Sequence, residues 1–178
     1  MSWIQTYSGA VFDPLEPMRH EMPLRDIAHS LSMQCRYNGH CLKFYSVAEH
    51  CILLVAALSR DGVKDRDILR WALMHDAPES WLCDLPRPLK PHVLGFADLE
   101  EAAERAVAER FDLSPAIPDI VKEYDARVLH DEKAQNMAPG PEWGIPGEPL
   151  GVKLKFWSPE DAKIRFITTA RMLGLRVT

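Results

Sequence analysis

Apolar residues recur at intervals of three and four along most of this chain, the pattern of helices that bury one face. The first such segment opens near Arg25, with Ile27 and Leu31 on one face, and stops at Tyr37-Asn38-Gly39-His40, where Asn-Gly signals a turn. Ser46 suits the N-cap of a second helix over about 47–59, with Glu49 as its capping-box partner three residues on. Val47, Cys51, Leu54, Val55 and Leu58 make its inner face, and Gly62 ends it. A third helix is predicted over about 65–80, with Ile68, Leu69, Ala72 and Leu73 apolar and His75 and Asp76 near its C-terminal end. Pro86, Pro88 and Pro91 then break the chain into a loop. A charged, alanine-rich helix is expected at 96–111, another after Ile117-Pro118 over about 118–135, and a last one over about 159–173 with Ala162, Phe166, Ile167 and Ala170 inward.

Two stretches lack this period. Residues 3–17 are aromatic and broken by Ser8-Gly9 and Asp13-Pro14, which predicts an irregular arm or a short hairpin. Residues 138–151 hold several Pro and Gly and read as a loop. The expected fold is one all-α domain over 1–178, with short strands admissible only at 3–12 and 143–156. Trp143, Phe156 and Trp157 either cover a functional site or close the core; the core is favoured, since aromatic residues near a chain end usually dock it.

Composition narrows the function classes. At 178 residues, 47% hydrophobic and 26% charged, the chain can bury a real core. A net charge of -5 argues against general attraction to a nucleic acid polymer or an anionic membrane. Cys35, Cys41, Cys51 and Cys83 show no metal-ribbon or redox spacing and are expected as free thiols of a cytoplasmic protein. No stretch is apolar enough to span a bilayer, and Met1–Gln5 does not begin a signal peptide.

The chemistry lies in Met74-His75-Asp76-Ala77-Pro78-Glu79, followed by Asp84. His50 stands upstream and Asp125 downstream, each on its own predicted helix. Two imidazoles and two carboxylates make a mixed N/O donor set suited to Mn, Co, Ni, Zn, Fe or Mg. Adjacent helical side chains diverge by about 100°, but His75 and Asp76 can still converge on an ion lying against the helix end. Glu79, four residues after His75, shares its face and is placed to orient or deprotonate a water whose pKa a divalent ion lowers from about 15.7 towards 7. A lone histidine on an amphipathic helix is usually structural, and a lone aspartate is usually a surface group. That reading is kept for His20, His29, His92 and His130, while His40 is a candidate to line the site.

The full set, His50…His75-Asp76-x-x-Glu79-x-x-x-x-Asp84-x-Pro86-x-Pro88-x-Lys90…Asp125, resembles the HD-domain metal-dependent phosphohydrolases over about residues 25–135. It is similar to the bacterial 5′-deoxynucleotidases of that family and to the phage deoxyadenosine triphosphatases. The resemblance implies an HD-type helical bundle and a divalent metal ion held by His50, His75, Asp76 and Asp125. It makes Glu79 and Asp84 the catalytic carboxylates and Arg36 a phosphate-gripping residue. Tyr37 stands where these enzymes carry an aromatic, usually Trp, against the nucleoside, and Gly39 stands near the ribose position. Lys90 and Lys122 match phosphate-binding lysines, with Arg87 a weaker alternative. Homodimers or larger homo-oligomers are implied too, with the 96–111 helix as a surface for them.

The leading expectation is therefore a nucleotide phosphohydrolase releasing phosphate from deoxynucleoside monophosphates. Triphosphate removal from a deoxynucleoside triphosphate is the alternative, favoured by a second lysine at the site. A non-catalytic nucleotide- or metal-binding regulator is the alternative of another class. A helical interaction module would leave the donor set unexplained.

Overall fold

Ser46 caps helix α2, Val47–Arg60, by accepting the backbone N–H of Glu49 at 3.1 Å. In the computed structural model, which describes residues 3–176, α2 runs through the middle of the molecule. Val47, Ala48, Cys51, Leu54, Ala57 and Leu58 are all buried, as a helix surrounded by others requires. Around it pack α1 (Leu24–Met33), α3 (Arg66–Met74), α6 (Asp119–Asn136) and α7 (Pro159–Met172). Helix α5 (Phe96–Phe111) lies against the turn at Pro17–Arg19. The molecule is an all-α bundle with a short N-terminal hairpin. In that hairpin β1 (Ile4–Gln5) pairs antiparallel with β2 (Val11–Phe12), Ile4 opposite Phe12. Among the described residues, no helix is long and apolar enough to cross a membrane.

The predicted helix over 65–80 divides. Helix α3 stops at Met74, residues 75–78 form a turn, and α4 (Glu79–Leu82) follows as a separate short helix. Pro78 is the cause. It has no N–H to offer the Met74 carbonyl four residues back, which accepts from Ala77 at 2.9 Å instead. His75 and Glu79 therefore do not share one helix face, and the turn itself aims His75 and Asp76.

Among the described residues, the strand admitted at 143–156 does not form. Gly144, Gly147 and Gly151 have φ of 62, 78 and 69°, and proline stands at 141, 146 and 149. The amides that a strand would pair go to buried carboxylates. Asp131 Oδ2 accepts from Leu150 and Gly151 at 2.8 and 3.2 Å. Glu49 Oε1 accepts from Lys155 and Phe156, and its Oε2 from Trp157, at 2.6, 3.0 and 2.7 Å. Glu49 thus does not complete the predicted capping box; its side chain ties down the C-terminal segment. Hydrogen bonds to a charged group are worth about 1.5–3 kcal/mol each and are not additive. Glu49→Ala is expected to lower unfolding stability by about 3 kcal/mol. Urea denaturation measures this, and faster amide exchange at 155–157 would locate the cause.

Candidate metal centre

His50, His75 and Asp76 converge closely enough to hold one ion, and Asp125 stands beside the two imidazoles. His50 comes from the first turns of α2, His75 and Asp76 from the turn after α3, and Asp125 from α6. The two Nε2 atoms are 3.3 Å apart. His50 Nε2 is 3.6 Å from Asp76 Oδ2 and 3.1 Å from Asp125 Oδ1. His75 Nε2 is 3.3 Å from Asp76 Oδ1 and 3.8 Å from Asp125 Oδ1. Donors about 2.0–2.2 Å from a shared ion stand roughly 3–3.5 Å from one another, so the spacing of His50, His75 and Asp76 fits one divalent cation.

The protonation pattern fits as well. His50 Nδ1–H donates to the Glu132 carboxylate at 2.7 Å, and His75 Nδ1–H donates to the Ala72 carbonyl at 3.0 Å. With those hydrogens committed, each ring in its neutral form would turn an Nε2 lone pair to the centre, where the carboxylates also point. Acceptors converging in a buried place need a cation. Burial opposes the His75 imidazolium, yet Asp76 and Asp125 raise that group well above its ordinary value. Burial also opposes the Asp76 and Asp125 carboxylates, but the two histidines hold both far below the usual range. The excess of negative charge that favours a proton here would favour a divalent ion more.

Glu132 was not singled out from the sequence, and it organises the layer behind the donors. It is fully buried. Its carboxylate accepts from His50 Nδ1, from Tyr45 Oη at 2.9 Å, from Arg36 Nε at 3.3 Å, and from the Tyr37 hydroxyl. Burial works against this carboxylate, but Arg36 and then His50 outweigh it and hold the carboxyl down at about 2. The signal was spacing: Glu132 lies seven residues after Asp125, two turns along the same face of α6.

Beside the centre opens a cavity of about 580 Å³. Asp76, Glu79, Asp84 and Asp125 line it with Arg36, Arg87 and Lys90. Arg36 Nη1 lies 3.5 Å from Asp76 Oδ2, Arg87 pairs with Asp125, and Lys90 pairs with Glu100. Glu79 is buried with Oε2 unpartnered, and burial, then Asp76 and Asp84, push its carboxyl well above the ordinary value. Burial also raises Asp84, Asp76 adding to it against Arg36. Tyr37 is presented from a strained turn, with φ of 59° at Tyr37 and 51° at Asn38.

The structure leaves other expected residues outside. Lys122 is not at the cavity: its side chain is 61% exposed and lies 4.0 Å from Asp119. It follows the fully buried Val121 by one position, which turns it about 100° off the inward stripe of α6. His40 and Gly39 are exposed and line no part of the cavity. His29 stacks on Tyr7 at 3.8 Å. Phe156 and Trp157 pack on the core as expected, but Trp143 does not; it is 37% exposed and lines the cavity.

A helical bundle with a candidate metal centre at the mouth of a cleft is thus the class that fold and site define. The chain belongs to the same family as the Escherichia coli (strain K12) protein named uncharacterized protein YfdR. The two are 35% identical over 133 residues, 75% of this chain and 71% of that protein. A Rhodobacter capsulatus protein, uncharacterized protein RCAP_rcc00048, is 36% identical over 126 residues, 68% of this chain and 64% of that protein. No protein-family model matches the chain.

Proposed function

We propose that this protein is a metal-dependent phosphohydrolase of the HD type that releases phosphate from (deoxy)nucleoside 5′-monophosphates. One observation carries the reading. A single cleft joins a converged His/Asp donor set, three cationic side chains and an aromatic wall of Tyr37 and Trp143. That combination suits a ligand that carries both a phosphate and a flat ring.

A divalent ion held by His50, His75, Asp76 and Asp125 would polarise phosphate oxygens and lower the pKa of a water beside it. Arg36, Arg87 and Lys90 neutralise the remaining phosphate charge, the larger part of catalysis in phosphoryl transfer. The water oxygen bonds to phosphorus as the bond to the sugar oxygen breaks. Glu79, whose burial favours holding a proton, takes the water's proton or supplies one to the leaving oxygen. Asp84, raised less, is the neighbouring carboxylate for the other transfer.

The charge balance favours the monophosphate. Four carboxylates face three cations in the cleft, and Lys122, the second lysine that would have favoured a triphosphate, lies outside it. Lys90→Ala is expected to lower kcat/KM about tenfold, chiefly through KM, since a charged hydrogen bond is worth about 1.5–3 kcal/mol. Lys122→Ala should stay within about twofold of the parent. Steady-state kinetics on the two variants checks the pair, and the reverse ranking would reassign the phosphate contacts.

The test of the reading itself is a product assay on metal-stripped protein given Mn, Co, Ni, Zn, Fe or Mg. Chromatography of products from nucleoside monophosphates, deoxynucleoside monophosphates and deoxynucleoside triphosphates reads the outcome. Inorganic phosphate and deoxynucleoside from the monophosphates are expected. Intact triphosphate released from a triphosphate would replace the nucleotidase by a triphosphohydrolase. Nucleotide binding without product under any metal would make the protein a regulator.

A further inference from the structure

Apart from Tyr37 and Trp143, the polar side chains that line the cleft are all charged: Arg36, Asp76, Glu79, Asp84, Arg87, Lys90 and Asp125. Arg36 lies against Asp76 and Arg87 pairs with Asp125, beside the donor set. The rest of the lining is apolar or aromatic, and no Asn, Gln, Ser or Thr is among it. The hydroxyl of Tyr37 is already committed to Glu132. A nucleobase in this cleft meets surfaces that pack against its face and no neutral side-chain amide or hydroxyl that reads its edge.

Trp143 is the largest of those surfaces. Lys133 of α6 reaches the loop that brings it: its Nζ pairs with the exposed Glu142 at 3.0 Å and lies 5.7 Å from the Trp143 ring centre. The Trp143 and Tyr37 rings lie 5.6 Å apart, centre to centre, at 46°. That distance is too short for a base to enter between them, so they form one angled wall. An indole 37% exposed, beside a cation and turned to a cavity, is a stacking surface without an occupant of this chain.

We infer that Trp143 is the specificity-determining residue for the organic half of the ester: the base is recognised by stacking on its face, and the four bases are accepted alike. Every base has a π face, so stacking tolerates sequence in a way that edge hydrogen bonds do not. The inference rests on the phosphohydrolase reading for its substrate and on the cleft lining for its content.

The experiment compares the four deoxynucleoside 5′-monophosphates with 2-deoxyribose 5-phosphate, which lacks a base. Wild type, Trp143→Ala and Trp143→Phe are assayed for phosphate release and for equilibrium binding of the same ligands. Wild type should spread less than about tenfold in kcat/KM among the bases and prefer them to the abasic ester by about tenfold or more. Trp143→Ala should collapse that preference towards one, mainly in KM, and Trp143→Phe should restore most of it. Thermal denaturation of each variant separates lost stacking from lost folding. A wild type that ranks the bases over a hundredfold range would overturn the inference. So would an Ala variant, folded, that keeps the preference; in both cases phosphate release leaves the phosphohydrolase reading standing. No phosphate from any ester would remove that reading instead. Binding alone would then decide the role of Trp143, by whether the Ala substitution abolishes the preference for base-bearing ligands.

Discussion

Asp76→Ala is expected to lower phosphate release by about three orders of magnitude or more and to leave the purified protein without a bound divalent ion. A bound ion supplies several kcal/mol of charge stabilisation in such reactions, and about 1.4 kcal/mol is a factor of ten. Asp76 is central because both its oxygens are engaged: Oδ1 faces His75 at 3.3 Å, and Oδ2 faces His50 at 3.6 Å and Arg36 at 3.5 Å. Alanine removes a donor from the middle of the set and leaves the two imidazoles with Asp125 alone. The fold should persist, because Arg36 keeps Glu132. Elemental analysis together with the phosphate assay measures both effects. An Asp76→Ala protein that keeps its ion and its turnover would take Asp76 out of the site.

Glu132→Ala is expected to cost the fold more than any change at the donors themselves. It leaves the Arg36 guanidinium buried without its main counter-charge and strips partners from Tyr37, Tyr45 and His50. Breaking a buried charged pair by removing one side costs about 3–5 kcal/mol. At this chain length that is about 6–20 °C in Tm, measurable by thermal denaturation. Metal affinity should fall too, by about 10- to 100-fold, because the His50 ring loses the acceptor that fixes its tautomer. Glu132→Gln keeps the shape without the charge and should fall between the two. A Tm within about 2 °C of the parent for the Ala variant would mean that the network reorganises around water.

The candidate donors were legible in the sequence because each is a ligand-type side chain on a predicted helix, in the spacing that carries the resemblance. His50, His75-Asp76 and Asp125 needed only the expectation that three helices meet. What the sequence obscured had local physical causes. Proline 78 splits a helix whose apolar period runs on, so the turn that aims Asp76 was hidden inside a predicted helix. Lys122 shares a helix with Asp125, yet a residue beside the buried Val121 points away from the cleft. Trp143 looked like the usual aromatic that docks a chain end, and Phe156 and Trp157 are that. The difference is that Trp143 stands on the Pro- and Gly-rich loop, beside Lys133 of α6, and lines the cavity. Glu132 escaped because a glutamate in a charged, weakly amphipathic helix looks like surface, although its two-turn spacing from Asp125 places it inside.

Neighbouring residues on α2 and α6 have divided duties. Glu49 holds the amides of 155–157 while His50 faces the donors; Asp131 holds those of 150–151 while Glu132 orients His50. A ribosome delivers these parts in order. A nascent chain that has reached residue 132 already carries every donor and the carboxylate behind them, but its Glu49 and Asp131 have no amides to receive. Those two carboxylates gain their amide partners only when residues 150–157 emerge, so the helices that carry His50 and Glu132 are expected to close after that segment is made. A chain stalled before residue 150 is then expected to hold the candidate donors without assembling them.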